Sequence, residues 1–491
     1  MSEHLPILLV VVPLAAAALA AVIRSGRAAW GLMLLSAWVV LGSSVSLLAQ
    51  VLREGRIRYV LGGWPPPWGI EYNIDLLSAF VLVLLGGIAA IITPFALRSV
   101  EREIHSAQVH FHYSALLLCF AGLLGMTSTG DVFNLFVFLE ISSISAYTLI
   151  AMGSDRRALH AAFRYLIMGS VGATFIVIGI GMLYMMTGSL NMADLAELIP
   201  AERNRTLSVA LAFLTVGVGL KLALFPLHLW LPDAYTFAPS AVTAFLASTA
   251  TKVAVYVLAR FLFTVFGVAF TFEVMALDRI LIPLCLFGIL AGSLRAIHQR
   301  NVKRLLAYSS VAQVAYVVLG ISLVSVTGLT AGILHLFNHA LMKGSLFLAM
   351  GCVMYKVGSV RIEAMRGLGR TMPWTMAAFV IGGLSLVGVP LTVGFISKWY
   401  LVLGAVEQGR WLVTAVVLLG SLLAVIYIWR VVEVAYFEEA SGNGPGGEAP
   451  LSLLIPTWAL VLANLYFGID ATLTSGIAGG AARLLMGLGG P

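Results

Sequence analysis

Charged side chains are scarce in this chain of 491 residues, of which they make up only 10%. An average soluble protein has about 25%. Hydrophobic residues account for 60%, and apolar runs of bilayer-spanning length, about 20 residues, recur from one end of the chain to the other. The scarcity of charge therefore excludes an ordinary soluble fold and predicts an all-α polytopic membrane protein.

Cysteine is rarer still: Cys119, Cys285 and Cys352 each stand alone in an apolar run. With no CxxC pair and no Cys/His cluster, an iron–sulfur cluster, structural zinc and a disulfide framework are not expected. The chain also has no P-loop and no GxGxxG at a strand–helix junction. We therefore expect no cofactor, no metal site and no catalytic residue. Because the net charge of +7 is spread over short connections, no nucleic-acid partner is expected either.

The apolar runs predict about 14 transmembrane helices in a single membrane domain, residues 1–491. Their predicted ranges are 5–23, 29–51, 76–97, 112–128, 131–151, 160–187, 207–230, 240–264, 276–294, 303–323, 327–355, 374–401, 411–437 and 451–469. The first has no basic segment before it and is interpreted as a spanning helix, not a cleaved signal peptide. Residues 52–75 predict turns and a small hairpin, residues 438–450 predict a loop, and the chain is expected to end after helix 14.

Two of these helices are predicted to be broken, the seventh at Pro226 and the twelfth at Pro390. A proline inside a helix removes a backbone hydrogen bond and kinks or opens the helix. The two breaks lie five helices apart, which predicts two repeats of five helices, residues 112–264 and 276–437. An odd number of helices per repeat makes the copies inverted. Paired broken helices in inverted repeats are typical of the ion path of a transporter.

Four of the six lysines, Lys221, Lys252, Lys343 and Lys398, lie well inside predicted helices, and Glu140 lies mid-helix in the same way. Each costs at least ~2.5–3.5 kcal/mol at the bilayer centre, and the usual reason for one is a path for protons or ions. We expect Glu140 and Lys221 to form an ion pair that a neighbouring charge can make or break; the alternative is a static pair that fixes packing. Lys252 lies half-way along its helix, which argues against snorkelling to the interface.

Two histidines extend this set of buried charges. His335, His339 and Lys343 follow one another at i, i+4 and i+8 and share one face of predicted helix 11. Histidine exchanges protons near neutral pH, so the three predict a proton relay, although either histidine alone could be an ordinary core residue. A metal site would need a third ligand, which is not evident. One half-channel would reach the chain of sites near Glu140, and another would leave it near Lys398.

Four further titratable residues lie near predicted helix ends: Asp131, His228, Asp233 and Glu433. Solvated or helix-capping roles are favoured for them over roles in proton access or coupling. The loops that follow odd-numbered helices carry more lysine and arginine than those on the N-terminal side. By the positive-inside rule the basic side is cytoplasmic, so both termini are predicted to lie outside.

Five segments carry motifs in a recognisable order. They are Gly130–Glu140, Lys221–Asp233, Ala238–Ala244, Asn301–Ser310 and Asn338–Lys343. Together they resemble the proton-translocating antiporter subunits, a family that includes the D subunit of Mrp-type sodium/proton antiporters and the antiporter-like subunits of complex I and membrane-bound hydrogenases. The resemblance spans nearly the whole chain and implies 14 helices, inverted repeats and proton transfer. It assigns Glu140 and Lys221 as a helix 5–helix 7 pair, Lys252, His335 and His339 to a central relay, and Lys398 as the terminal lysine.

Within that family the chain looks most like the Mrp D subunit or its hydrogenase relatives, on Gly62–Gly69, Asp75 and the Thr251-Lys252 step. The family often has phenylalanine where this chain has Met342, and we expect no consequence. The first hypothesis is thus a proton-carrying subunit of a multi-subunit cation (sodium)/proton antiporter. It would work with partner membrane subunits in the lipid bilayer of a bacterial-type inner membrane.

Two alternatives stay open at this point. The chain could be the proton-pumping, non-catalytic subunit of a complex I-like NADH:quinone oxidoreductase or of a hydrogenase, in which partner subunits hold the electron carriers. It could also be a helical scaffold with inert ion pairs. No site is plainly built for sodium, because sodium requires clustered oxygen ligands and only Glu140 offers a charged one at depth.

Overall fold

The computed structural model describes residues 4–200, 202, 204–439 and 447–489. Within them the chain forms twenty α-helices and one pair of strands. The helices are α1 Leu5–Ile23, α2 Gly26–Glu54, α3 Leu76–Glu103, α4 Val109–Ser128, α5 Val132–Ala151, α6 Arg157–Thr187, α7 Met192–Leu198, α8 Arg205–Leu222, α9 Leu231–Phe237, α10 Ser240–Ser248, α11 Ala250–Ala259, α12 Asp278–Ile297, α13 Val302–Ser322, α14 Val326–Val357, α15 Leu368–Thr371, α16 Pro373–Val387, α17 Val393–Glu407, α18 Trp411–Phe437, α19 Leu451–Ile469 and α20 Thr472–Leu485. The strands are β1 Ile57–Val60 and β2 Glu71–Ile74.

Thirteen helical segments of the described residues are long and apolar enough to cross a membrane. One of them, Ser240–Val265, consists of α10, α11 and the short π-helical segment Arg260–Val265 that follows. The remaining predicted crossing, the twelfth at 374–401, is divided between the shorter helices α16 and α17. The prediction of a polytopic helical membrane protein is therefore confirmed.

Both predicted helix breaks are present. Residues 223–230, which include Pro226, separate α8 from α9, and residues 388–392, which include Pro390, separate α16 from α17. Neither proline has a backbone N–H that could continue the helix before it. Each break leaves the last carbonyls of a helix inside the membrane-spanning bundle, where they can accept hydrogen bonds from side chains.

Two short backbone bridges tie together helix pairs that lie five crossings apart. Asp131, just before α5, pairs antiparallel with Asn191, just after α6. Asn301, just before α13, pairs in the same way with Arg361, which follows α14. Five crossings separate the two bridges, so they lie on opposite faces of the bundle. They are equivalent in their place along the chain but opposite in orientation.

The two faces of the bundle carry different structures. On the first, which we name the hairpin face, β1 and β2 pair antiparallel with Ile57 opposite Ile74, so the predicted hairpin is present. The opposite face, which we name the arginine face, comprises the connections 152–156, 298–301 and 358–367. These connections hold many of the arginines from which the orientation was predicted.

The helix α14 forms the centre of the bundle. It packs against α3, α10, α13, α16, α17, α19 and α20, and every residue from 328 to 353 is buried. A helix covered on all sides cannot extend its polar side chains to lipid head groups or bulk water. Its histidines and its lysine must therefore find their partners inside the protein.

One element contradicts the prediction that the chain ends after its fourteenth crossing. The additional helix α20 packs closely on the core, because a side chain added at Gly480 would meet Leu76 of α3 at 2.7 Å. The helix has 14 residues and is rich in glycine and alanine, so its sequence carries too weak an apolar signal to be recognised. The loop predicted over 438–450 falls largely outside the described residues, which omit 440–446.

A buried ion pair joins α3 to the eighth crossing. Arg260 donates a hydrogen bond to Asp75, and the two side chains are only 6% and 20% exposed. Breaking such a pair leaves a charge stranded and costs about 3–5 kcal/mol. We therefore expect Asp75→Asn to lower the thermal unfolding midpoint of the purified protein clearly. The exposed pair of Asp155 with Arg157 supplies the control, because Asp155→Asn should cost no more than about 1 kcal/mol. Equal midpoints for both variants would contradict a structural role of the Asp75 pair.

Candidate functional site

Glu140 of α5 and Lys221 of α8 form an ion pair between the two helices. Their Oε1 and Nζ atoms are 3.6 Å apart, which is longer than a hydrogen bond. The hydrogen bonds of Lys221 go instead to Ser143 Oγ at 2.8 Å and to Tyr147 OH at 3.3 Å. Lys221 is 6% exposed and Glu140 31%. The ammonium is thus held inside, while the Glu140 side chain is partly exposed although its Oε1, which faces Lys221, is buried and accepts no hydrogen bond from the described residues.

The break in the seventh crossing determines where Lys221 lies. Lys221 is the last residue but one of α8. Across the break, Trp230 Nε1 donates to the carbonyl of Leu220 at 2.9 Å, and the Trp230 ring stacks on Tyr165 at 3.8 Å. These contacts hold the end of α8 in place. Lys221 therefore lies at a helix C-terminus, where the partial negative charge of the carbonyls stabilises an ammonium.

A small cavity lies between Lys221 and α11. It has a volume of about 30 Å³ and is lined by Ser143 and Lys221 on one side and by Ala250 and Ala254 of α11 on the other. This volume exceeds the roughly 10–15 Å³ that one water needs. Lys252 belongs to the same turn of α11 as these two alanines. Lys252 lies on the opposite face of that turn and does not line the cavity, so the cavity offers room for water beside Lys221 alone.

Lys252 points into the protein and not toward an interface. Its side chain is 2% exposed, and its Nζ donates to the carbonyl of Ala247 and lies 3.4 Å from Thr251 Oγ1. The carbonyl is accessible because Thr249, with φ −125° and ψ −59°, interrupts the helix between α10 and α11. Among the described residues, no carboxylate lies within ion-pair distance of Lys252. Its ammonium is held by neutral oxygens alone.

His339 of α14 lies near two buried lysines, Lys252 of α11 and Lys343 of its own helix. Lys252 and Lys343 are both close enough to act on it electrostatically. Lys343 itself donates to the carbonyl of Leu306 at 2.7 Å. Neither ring nitrogen of His339 has a hydrogen-bond partner among the described residues. Its ring is nearly parallel to that of His335, with centroids 6.1 Å apart. The two imidazoles thus lie in a row along α14.

His335 connects α14 to the second broken crossing. Its Nδ1 is 2.8 Å from Ser397 Oγ, and its Nε2 is 2.8 Å from Gln313 Oε1. Because one imidazole nitrogen donates and the other accepts in the neutral ring, the two partners fix the ring between α13 and α17. Ser397 is the sequence neighbour of Lys398 on α17. The hydrogen bond therefore brings the row of histidines to the last lysine.

Lys398 occupies the second helix break as Lys221 occupies the first. Its Nζ donates to the carbonyls of Leu386 and Val387, at 3.0 and 2.9 Å, and to Ser421 Oγ at 2.9 Å. The two carbonyls are the last of α16, so the helix dipole stabilises the ammonium. The ring of Tyr316 lies 5.1 Å from Nζ. Both broken helices therefore present their C-terminal ends to a buried lysine.

The seven predicted proton-transfer residues form two groups in the bundle. Glu140 pairs with Lys221, and electrostatic or ring contacts connect the other five, which are Lys252, Lys343, His339, His335 and Lys398. Apart from Glu140 they are buried. Each group can hold or release one proton. The structure therefore places titratable groups inside the bundle, with Lys221 beside the first helix break and Lys398 beside the second.

The four residues near helix ends lie apart from these two groups. Asp131 caps α5 by accepting the backbone N–H of residue 134 at 2.7 Å. Asp233 forms ion pairs with two arginines, at 2.7 and 3.3 Å. His228 is buried in the first break, and its Nδ1 has no partner among the described residues. Glu433 is exposed on α18. The structure therefore brings none of the four into direct contact with the buried lysines.

One buried lysine was not recognised from the sequence. Lys303 lies only two residues after Asn301, the N-cap of α13, where the sequence favours a solvated charge of the basic face. In the structure its side chain is 2% exposed. The available signal was its position in the first turn of a spanning helix.

Known proteins are similar to this chain in sequence and in structure. Residues 129–424 match the family described as "NADH:quinone oxidoreductase/Mrp antiporter, TM". The N subunit of the NADH-quinone oxidoreductase of Desulforudis audaxviator is 45% identical in an alignment of 490 residues. The alignment covers 96% of each chain. The D subunit of the Na(+)/H(+) antiporter of Bacillus subtilis is 29% identical over 442 residues, which are 90% of this chain and 88% of that one.

Solved structures give the same result. The Mrp complex from a Dietzia species contains a chain that superposes with a TM-score of 0.91 at 26% identity, over 99% of this chain and 97% of that one. The membrane-bound sulfane sulfur reductase, an archaeal respiratory membrane complex, contains one that superposes with a TM-score of 0.91 at 30% identity, over 98% of each chain. This chain therefore belongs to the membrane-subunit family that NADH:quinone oxidoreductases and Mrp antiporters share.

Proposed function

We propose that this chain is the proton-carrying membrane subunit of a multi-subunit cation/proton antiporter. The observation that carries the proposal is the set of buried lysines and histidines from Lys221 to Lys398, which we propose to form one line of proton transfer. Past Lys221, the lysines of this line are held by carbonyl and hydroxyl oxygens and not by carboxylates. Such a lysine leaves no counter-charge behind when it releases its proton.

Charge at one site can therefore drive the proton from the next. Two unit charges 4 Å apart interact by ~4 kcal/mol at an effective dielectric of 20, which is enough to change which site holds the proton. Forming or breaking the Glu140–Lys221 pair would start this sequence at one end. Release from Lys398 would complete it at the other.

The proposal includes two inverted repeats, residues 112–264 and 276–437. Three pairs of equivalent features support them. The first pair is the two helix breaks, at Pro226 and Pro390. The second pair is the lysines beside these breaks, and the members of both pairs lie five crossings apart. The backbone bridges beside α5 and α13 lie on opposite faces, as an inversion requires.

A bacterial-type inner membrane and an orientation with both termini outside are also part of the proposal. The arginines of the arginine face support the orientation, because basic loops stay in the cytoplasm. The Bacillus subtilis relative is named as part of a Na(+)/H(+) antiporter, which favours sodium as the exchanged cation. Other membrane subunits are the expected partners, since the superposable chains come from multi-subunit assemblies.

A second candidate is the proton-pumping subunit of a redox complex, favoured by the relative that is 45% identical and is named a NADH-quinone oxidoreductase subunit. Purification of the chain from native membranes in mild detergent distinguishes the two assemblies. Small membrane subunits without flavin or iron–sulfur absorbance would support the antiporter. Peripheral subunits that carry flavin, iron–sulfur clusters or nickel would replace it by the redox pump.

His339 offers a test of the relay that separates function from structure. Because its ring nitrogens bond to no described residue, His339→Phe should leave assembly and thermal stability near those of the wild type. It should lower proton translocation in membrane vesicles at least about ten-fold, since one transfer site is removed. Wild-type translocation by an assembled His339→Phe complex would contradict a relay through this residue.

A further inference from the structure

We propose that Glu103, Ser240 and Lys303 form the route by which protons reach Lys343 from the arginine face. This inference deepens the proposed function and rests on it. It adds an access path to a line of sites whose connection to the aqueous phase has not been assigned on this side. Three observations carry it: a cavity, a hydrogen-bonded set of titratable groups at its base, and one helix that joins this set to the central lysine.

The cavity opens on the arginine face and reaches into the bundle. It has a volume of about 170 Å³, which is room for several waters. Exposed Arg157 and Arg361 lie at its rim, and Glu103 and Lys303 lie among its lining residues. Protons in the water of this cavity therefore come within reach of a carboxylate and a buried amine.

Three helices contribute to the hydrogen-bonded set at the base. Lys303 of α13 donates to Ser240 Oγ at 3.0 Å and to the carbonyl of Ala238 at 3.3 Å. The backbone N–H and the hydroxyl of Ser240, at the start of α10, both donate to Glu103 Oε2 of α3, at 2.9 and 3.1 Å. The other carboxylate oxygen accepts from Ser99 at 2.6 Å. Glu103 and Lys303 are thus linked through one hydroxyl and are not in direct contact.

The helix α13 joins this set to the centre of the bundle. One turn beyond Lys303, the carbonyl of Leu306 accepts from Lys343 Nζ at 2.7 Å, and Ser309 Oγ accepts from the same Nζ. The backbone of Lys303 is therefore about one 5.4 Å turn from the carbonyl of the same helix that accepts from Lys343. When Lys343 passes its proton to His339, it becomes a neutral amine. Lys303 then gives it a proton through intervening water and regains one from the cavity water beside Glu103, so that protons and charge balance.

A purely structural reading of the same contacts is that they clamp α3, α10 and α13 together. Arginine separates the two readings. Lys303→Arg keeps a positive charge and several donors, but a guanidinium does not release its proton in proteins. A clamp should survive this change, whereas a proton carrier should not.

The test measures proton translocation by the intact complex in inverted membrane vesicles, normalised to the amount of assembled complex. Lys303→Arg, Lys303→Met and Glu103→Gln are compared with Lys356→Met, which removes another lysine at the same end of the bundle but outside the cavity lining. We expect the three variants to lose at least about ten-fold in rate, and Lys356→Met to stay near the wild type. If neither Lys303 variant assembles, the translocation rate of Glu103→Gln tests the route by the same criterion.

Wild-type rates in assembled Lys303→Arg and Glu103→Gln would overturn the route. Lys221→Met, run beside them, distinguishes this failure from failure of the proposed function. If Lys221→Met is inactive while the Lys303 and Glu103 variants are active, protons reach Lys343 by another path and the proposed function stands. If Lys221→Met is active as well, the proposed function itself is wrong.

Discussion

Replacing Lys221 by methionine is expected to lower proton translocation by the assembled complex about 100-fold or more, because it removes an obligatory proton-transfer site. Methionine is close to lysine in length and shape, so the packing around the end of α8 should be kept. The hydroxyls of Ser143 and Tyr147, which accept from Lys221, can turn to bond each other or water. The measurement is the rate of pH change in vesicles per assembled complex.

The control lies on the same helix. Arg205→Met removes a cation from the exposed first turn of α8, far from the line of buried sites, and should leave the rate near that of the wild type. The scaffold alternative makes the opposite forecast. If Lys221→Met fails to assemble and the double variant Glu140→Gln/Lys221→Met assembles again, the pair serves packing and the transport role of Lys221 is contradicted.

Replacing Lys398 by methionine is expected to have an effect of the same size, about 100-fold, at the other end of the line. Its ammonium is held by two terminal carbonyls of α16 and by Ser421. Without the amine, a proton that reaches His335 has no adjacent site to which it can pass. Translocation should therefore stop although Lys221, Lys252 and Lys343 are intact.

Ser421→Ala is the matched control for Lys398. It removes one of the three acceptors and leaves both carbonyls, so the amine keeps its place. We expect the rate to fall by less than about ten-fold, in line with the ~1 kcal/mol of a single hydrogen bond. An assembled Lys398→Met complex that translocates as fast as Ser421→Ala would show that protons leave the line elsewhere.

The transmembrane architecture could be predicted from the sequence because apolar runs and prolines act locally. A run of about 20 apolar residues is a spanning helix wherever it lies, and Pro226 and Pro390 favour a break because proline removes a helix hydrogen bond. Proline alone does not decide the matter, since Pro94 and Pro283 lie inside continuous helices. The helix α20 was missed for a related reason. Its Ala478, Gly480, Ala481 and Ala482 are buried, and the helix packs on α3 and α14. Close packing of small residues leaves no mark in hydropathy.

The buried lysines could also be predicted, since a charge in a spanning helix has a high cost wherever it is placed. Their partners could not. Lys252 and Lys398 are held by backbone carbonyls, which every residue possesses, and only the helix interruptions in three dimensions make these carbonyls accessible. Lys303 lies at the very start of its helix, where a lysine is expected to face water on the basic side. Its burial arises from α3 and α10, which are distant in sequence.

The central claim is that protons pass Lys221 and Lys398 on one continuous line. The most direct test is the translocation rate of Lys221→Met, Lys398→Met and the double variant, measured on the same assembled complex. Sites in series predict that each single variant is already inactive and that the double variant loses nothing further. The contradicting result is two single variants that each keep a substantial part of the wild-type rate while the double variant keeps none, because that would mean two independent paths.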